Sequence, residues 1–185
     1  MNDRHLGLDL GGTNIKTAVL ERAGTGFKAV WTDQSDTTAW LGPDEVTHNL
    51  VQAAHLAIQS AGPVSSVGLG VPGLFESDTG NVVLFPNLPG AWNGYPLRKT
   101  LEEEIGQTVW MVNDARAFTL AEGTMGAGAG FHTVACMTLG TGIGGGIMID
   151  GRLHLGAFGV AGELGHQTID ANGPLCGCGN RGCVE

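Results

Sequence analysis

Basic residues are scarce in this chain. Nine Lys and Arg stand against 18 Asp and Glu, for a formal net charge of −9, and the Lys and Arg form no cluster. That balance argues against a partner held through a phosphate backbone or an anionic lipid surface, so neither a nucleic acid nor a membrane is expected as a partner. Long apolar runs are missing as well. None approaches the roughly 18 residues of a membrane span, and the opening MNDRHLG has neither the basic start nor the apolar core of a secretory signal. The expected location is the cytoplasm. Cysteines number four, and in a reducing compartment an even count does not by itself imply disulfides. Hydrophobic residues at 42% against charged residues at 15% exclude a disordered composition.

Glycine is in excess. Thirty-two of 185 residues are Gly, far above the usual share of roughly 7%, and without a collagen period such an excess calls for many tight turns or close backbone approaches. Between those glycines the apolar pattern is regular. RHLGLDL (4–10), IKTAVL (15–20) and FKAVWT (27–32) predict three consecutive antiparallel strands. Val46, Leu50, Ala53, Ala54, Ala57 and Ile58 recur at helical spacing over 44–61, with Pro43 and Asp44 before and Gly62-Pro63 after as start and stop signals. SSVGLGV (65–71) reads as a buried strand, PLRKTLEEEIG (96–106) as a helix and TVWMV (108–112) as another buried strand. ARAFTLAEGTMGAG (115–128) leads out as a helix, and HTVACMTL (132–139), GGGIMID (144–150) and GRLHLG (151–156) open a second set of strands. Cys136, inside one of these apolar runs, is expected to be a buried core thiol. The fold class is therefore α/β, with one complete lobe over 1–114 and the start of a second over 115–185; the boundary is expected near 114–130.

Two glycine loops have chemistry to offer. LDLGGTNIK (8–16) sets Asp9 at a strand end and Gly11, Gly12 and Thr13 in the following turn, with Lys16 beyond. Backbone N–H groups there can approach an anion, the Thr hydroxyl adds a donor, and the carboxylate can hold Mg²⁺. A plain hairpin turn fits the same residues. LGTGIGGG (139–146) repeats the arrangement around Gly140, Thr141 and Gly142. Neither loop matches the Walker pattern or opens a helix as a dinucleotide fingerprint requires. Asp114, just after TVWMV, can be a carboxylate held rigidly and partly desolvated at a sheet end, or the N-cap of a helix starting at Ala115, or both.

In order along the chain come DLGGT (9–13), GVPG (70–73), FPN (85–87), VND (112–114), the glycine pattern from Leu139 that ends in GELGH (162–166), and CGCGNRGC (176–183). With these motifs the chain resembles the ROK family of sugar kinases, in the superfamily of actin, hexokinase and Hsp70, over nearly its whole length. The resemblance implies a two-lobed kinase with a ribonuclease-H-like core in each lobe, the second incomplete in this chain. It implies ATP-dependent phosphorylation of a hexose at its 6-hydroxyl, with Asp114 as the residue that orients the hydroxyl and accepts its proton. Gly73, Asn87, Asn113, Asp114, Glu163, His166 and Glu185 are implied sugar ligands. Asp9, Gly11, Gly12, Thr13, Lys16, Gly140, Thr141 and Gly142 are implied to hold ATP and Mg²⁺ on opposite lobes, and a homodimer is implied too.

The C-x-C-x₄-C run with a histidine ten residues before its first cysteine supplies three thiolates and an imidazole, a set that suits tetrahedral Zn²⁺. Four protein ligands leave no open position, so the expected zinc is structural. The family's zinc ligands match His166, Cys176, Cys178 and Cys183. His166 is then expected to serve twice, one ring nitrogen on the metal and the other toward the sugar.

Glucose is the first expectation for the acceptor, because FPNLPGAW (85–92) resembles the loop of the family's glucokinases and Leu74 stands where some N-acetylhexosamine kinases place a basic residue. N-acetylmannosamine, N-acetylglucosamine or fructose as acceptor are alternatives, and polyphosphate as donor is disfavoured by the lack of a basic run. A sugar-sensing repressor of the same family would carry a helix-turn-helix domain ahead of Asp9, where eight residues stand. A non-catalytic sugar-binding fragment is the other alternative, since residues 1–185 alone are expected to be inactive.

Overall fold

The structure, a computed structural model, describes residues 3–24, 26–140, 142–157 and 159–185. The chain divides into two compact units, Met1–Asp114 and Ala115–Glu185.

In the first unit, β1 (Arg4–Leu10), β2 (Asn14–Ala23) and β3 (Gly26–Asp36) form an antiparallel meander. Helix α1 (Pro43–Ala61) leads to β4 (Ser66–Val71). The short hairpin of β5 (Leu74–Phe75) and β6 (Val82–Leu84) and helix α2 (Leu97–Ile105) then lead to β7 (Val109–Asn113). The sheet order is β3-β2-β1-β4-β7, with β4 parallel to both β1 and β7. This is the expected order of three strands, helix, strand, helix, strand. The hairpin was not anticipated, because two-residue and three-residue strands leave too few positions for an alternating pattern.

Alternation in β1 sends Leu6, Leu8 and Leu10 to one face, where α1 covers them with Val46, Leu50, Ala54 and Ala57. Pro43 pre-sets the first turn of α1, Asp44 and Glu45 complement its dipole, and Gly62 at φ 88° ends it. The opposite face of the meander lines an open depression of about 710 Å³, with Asp9 and Lys16 among its walls.

Parallel pairing has a functional consequence. Because β1, β4 and β7 point the same way, their C-terminal ends and the loops beyond them, at Leu10–Thr13, Val71–Gly73 and Asn113–Asp114, fall along one edge of the sheet.

The second unit joins helix α3 (Asp114–Met125) to a sheet of β8 (Thr133–Leu139), β9 (Ile143–Ile149) and β10 (Arg152–Leu153), ordered β10-β9-β8. The third strand expected over 151–156 shrinks to two residues, because Asp150 and Gly151 turn the chain at positive φ (52° and 75°) and Gly156 (φ 69°) turns it again. The three glycines of β9 do packing work. A Cβ on Gly144 would crowd Ala115 and one on Gly146 would crowd Thr119, both on α3, while one on Gly145 would strike Gly162 and Leu164 on the other face. Cys136 is half-buried, not a core thiol; its cross-strand partner is Gly146, which has no side chain to cover it.

Leu69 lies fully buried on β4, the strand between β1 and β7. Leu69→Ala should lower the unfolding free energy by about 2–5 kcal/mol in a urea titration. A loss of only a few tenths would contradict this account of the core.

Candidate functional site

The turn after β1 is built for close approach. Gly11 donates its N–H to Asn14 O at 3.0 Å, and a Cβ on Gly11 would press on that same carbonyl. A Cβ on Gly12 would lie 3.3 Å from the Asn87 carbonyl, so the turn and the FPN loop touch through backbone. Asp9 sits 3.9 Å from Lys16 Nζ, an exposed pair of little energetic weight. Thr37 braces the turn from below: fully buried, it donates its hydroxyl to Gly11 O at 2.8 Å and its N–H to Thr13 O at 2.8 Å. Asn49 on α1 supports that brace through Thr38 Oγ1 at 2.7 Å.

Beside the turn, Gly70 lies between the Asp9 carboxylate and the Asp114 backbone. A Cβ there would lie 3.6 Å from Asp9 Oδ1 and 3.9 Å from Asp114 Cα. Asp114 is exposed and is the first residue of α3, at the end of β7. Asn113 donates to Gly73 O at 3.4 Å, and Gly73 (φ 96°) is pressed against Leu84 and Pro86, so no side chain fits there. Asn87 is exposed on a loop anchored by buried Phe85, Leu88 and Trp92, with the Phe85 and Trp92 rings 4.9 Å apart. The first unit thus brings Asp9, Gly11, Gly12, Thr13, Gly73, Asn87, Asn113 and Asp114 to one edge.

In the second unit, Gly140 and Gly142 close the β8–β9 turn, the Gly140 N–H donating to Gly142 O at 2.9 Å; Thr141 lies outside the described residues. Glu185 Oε2 accepts the Ile143 N–H at 3.0 Å, so its carboxylate is occupied at this turn. Its Oε1 is 3.9 Å from His166 Nδ1. Glu163 lies in the loop before the single 3₁₀ turn Leu164–His166, and its Oε1 accepts from Arg116 at 2.9 Å.

His166, Cys176, Cys178 and Cys183 converge, each offering a ligand atom within 4.8 Å of the others. Cys176 Sγ is 3.7 Å from His166 Nδ1, and Cys178 Sγ is 3.6 Å from Cys183 Sγ. Tetrahedral zinc, with Zn–S about 2.3 Å and Zn–N about 2.0–2.1 Å, requires separations of about 3.5–3.8 Å between ligand atoms. The residues fit the ion. An N–H near Asn180 holds the Cys178 thiol below its usual range, whereas burial and the neighbouring thiols push Cys183 up to about 11. A metal ion taken up by these thiols would displace their protons, so its binding would weaken as pH falls.

Two supports escaped the sequence reading. Thr37 carries no motif, but a charged residue amid apolar ones, as Arg116 is in ARAF, is a signal that could have been followed.

Residues 5–185 match the ROK family. The chain belongs to that family. A glucokinase of Thermotoga maritima is 38% identical over 180 residues, covering 97% of this chain and 55% of that protein. The crystal structure of a ROK hexokinase from Thermus thermophilus superimposes with a TM-score of 0.85 at 39% identity, over 97% of this chain and 58% of that one. A ROK family glucokinase from Streptomyces griseus, solved in complex with glucose and AMPPNP, gives 0.83 at 36% identity, over 97% and 55%. These neighbours share the actin- and hexokinase-like α/β fold of this ROK chain. The chain spans about half the length of the curated relatives it matches. Among the described residues no helix is long and apolar enough to cross a membrane.

Thr37→Val keeps the shape of this ROK brace and removes its hydroxyl. With the Gly11 carbonyl left unpaired, the cost should be about 1–3 kcal/mol, and hydrogen exchange at Gly11 should quicken. Unchanged exchange there would show that the turn does not need the hydroxyl.

Proposed function

We propose that the protein to which this chain belongs is an ATP-dependent hexose kinase that phosphorylates the 6-hydroxyl, with glucose as its first acceptor. The observation that carries the proposal is the edge where Asp9 and Asp114 flank Gly70 beside a glycine turn whose backbone can meet a phosphate. Glucokinases among the relatives, one of them with glucose and a nucleotide analogue bound, support the choice of substrates.

Phosphoryl transfer asks the protein mainly for positioning and charge neutralisation. Asp114 takes the proton of the 6-hydroxyl as the sugar oxygen bonds to the γ-phosphorus and the bond to the ADP oxygen breaks. Asp114 is an exposed residue at the C-terminal edge of the parallel strands. Gly11, Gly12 and Thr13 offer N–H and hydroxyl donors to the phosphates, Lys16 a nearby cation, and Asp9 the ligand for Mg²⁺, which neutralises phosphate charge when bound. In the second unit Gly140, Thr141 and Gly142 are the matching phosphate turn. Asn87, Asn113, Glu163, His166 and Glu185 offer acceptors and donors to sugar hydroxyls, and Gly73, packed against Leu84 and Pro86, offers its backbone. Zn²⁺ held by His166, Cys176, Cys178 and Cys183 has no position left for water, so its role is structural.

A sugar-sensing family member would use the same ligands without transferring a phosphoryl group, and turnover separates the two readings. In coupled assays of the full-length protein on a panel of hexoses and N-acetylhexosamines, glucose should be phosphorylated at the expense of ATP. Asp114→Asn should lower kcat by about 10²–10⁴-fold while calorimetry finds sugar affinity largely retained. Unchanged turnover in that variant would remove Asp114 from the role.

A further inference from the structure

Arg116 is out of place for an arginine. It is 6% exposed, on the buried side of α3 with Ala115 and Thr119, whereas arginine is almost never fully buried unless paired. Its Nη2 donates to Glu163 Oε1 at 2.9 Å and to Ala161 O at 3.3 Å. Both partners belong to the loop that ends at His166. Glu163 itself keeps a third of its side chain open to solvent.

We propose that Arg116 is a positioning residue for sugar recognition: its guanidinium fixes the carboxylate of Glu163 so that the second oxygen can accept a sugar hydroxyl. The inference rests on the kinase reading above, in which Glu163 is a sugar ligand. Three contacts already restrain the backbone on either side of Glu163. Gly162 (φ 91°) abuts Gly146 and Ile147, Gly165 abuts Ile143, and His166 belongs to the thiol cluster. None of these restrains the Glu163 side chain; the guanidinium does. A carboxylate that shares its charge with a buried cation is also less able to repel the electron-rich oxygens of a neutral sugar, and the buried charge makes the pair costly to separate. Lysine would keep the charge but not the longer, planar guanidinium whose Nη2 donates to both the carboxylate and the Ala161 carbonyl.

Steady-state kinetics on the full-length protein test this with Arg116→Met, Arg116→Lys and Glu163→Gln. Arg116→Met should raise the sugar KM by about tenfold or more with the ATP KM little changed, and Arg116→Lys should fall between it and the parent. Added to Glu163→Gln, Arg116→Met should do little further harm, because two residues acting through one interaction are not additive. Equal rises in both KM values, or effects that multiply in the double variant, would reduce Arg116 to a structural strut. Should Arg116→Met fail to fold, the same split between sugar and ATP KM is read from Arg116→Lys, with equal changes again overturning the inference. A parent protein without turnover on any sugar would defeat the kinase reading and this inference with it. A parent with turnover, and an Arg116→Met variant with an unchanged sugar KM, would defeat the inference alone.

Discussion

From Leu164 to Glu185 the buried residues are Gly165, Gly173 and Gly182, none of which brings a side chain to a core. Ordering such a segment costs backbone entropy on the order of 1–2 kcal/mol per residue, with almost no apolar burial to offset it. What the segment has instead is the convergence of one imidazole and three thiols, joined by backbone bonds such as Cys176 N–H to Asn180 O and Gly182 N–H to Pro174 O. An ion bound there supplies the cross-link that a hydrophobic cluster supplies elsewhere. Glu185 is tied into the same cluster, since it reaches His166, Cys176 and the Ile143 amide together.

The first unit solves its own positioning problem by conventional means. A core of Leu, Val and Ala side chains between α1 and the sheet fixes three parallel strand ends, and small residues at those ends keep the edge clear. Gly12 admits the FPN loop, and Gly73 admits the β6 backbone. Rigid strands with spare, backbone-lined ends suit a reaction in which the protein mainly positions its substrates.

Much of this was legible in the residues. The Leu6, Leu8, Leu10 alternation and the helical spacing over 44–61 report directly which face meets the core, so β1 and α1 lie within a residue or so of their expected bounds. The grouping of the three cysteines and His166 was legible from spacing, because short, glycine-rich segments leave few ways to bring four soft ligands together. Other features depend on partners distant in sequence. The glycines at 144–146 look like the tail of a phosphate loop, but their reason is α3 on one face and the Gly162–Leu164 loop on the other. Thr37 and Arg116 act through Gly11 and Glu163, 26 and 47 residues away, and no local pattern announces such bonds. Asp114 is exposed, since its strand ends in a helix start at the edge of the sheet and not beneath it.

The chain belongs to the ROK family; its first unit presents a parallel strand edge, and its second a loop that gathers one imidazole and three thiols. X-ray absorption at the zinc edge, on protein purified under reducing conditions without chelator, tests the ordering of that loop most directly. The account predicts one zinc per chain with three sulfur ligands at about 2.3 Å and one nitrogen at about 2.0–2.1 Å. Folded, fully reduced protein that carries no zinc, or zinc held by oxygen ligands, would contradict it.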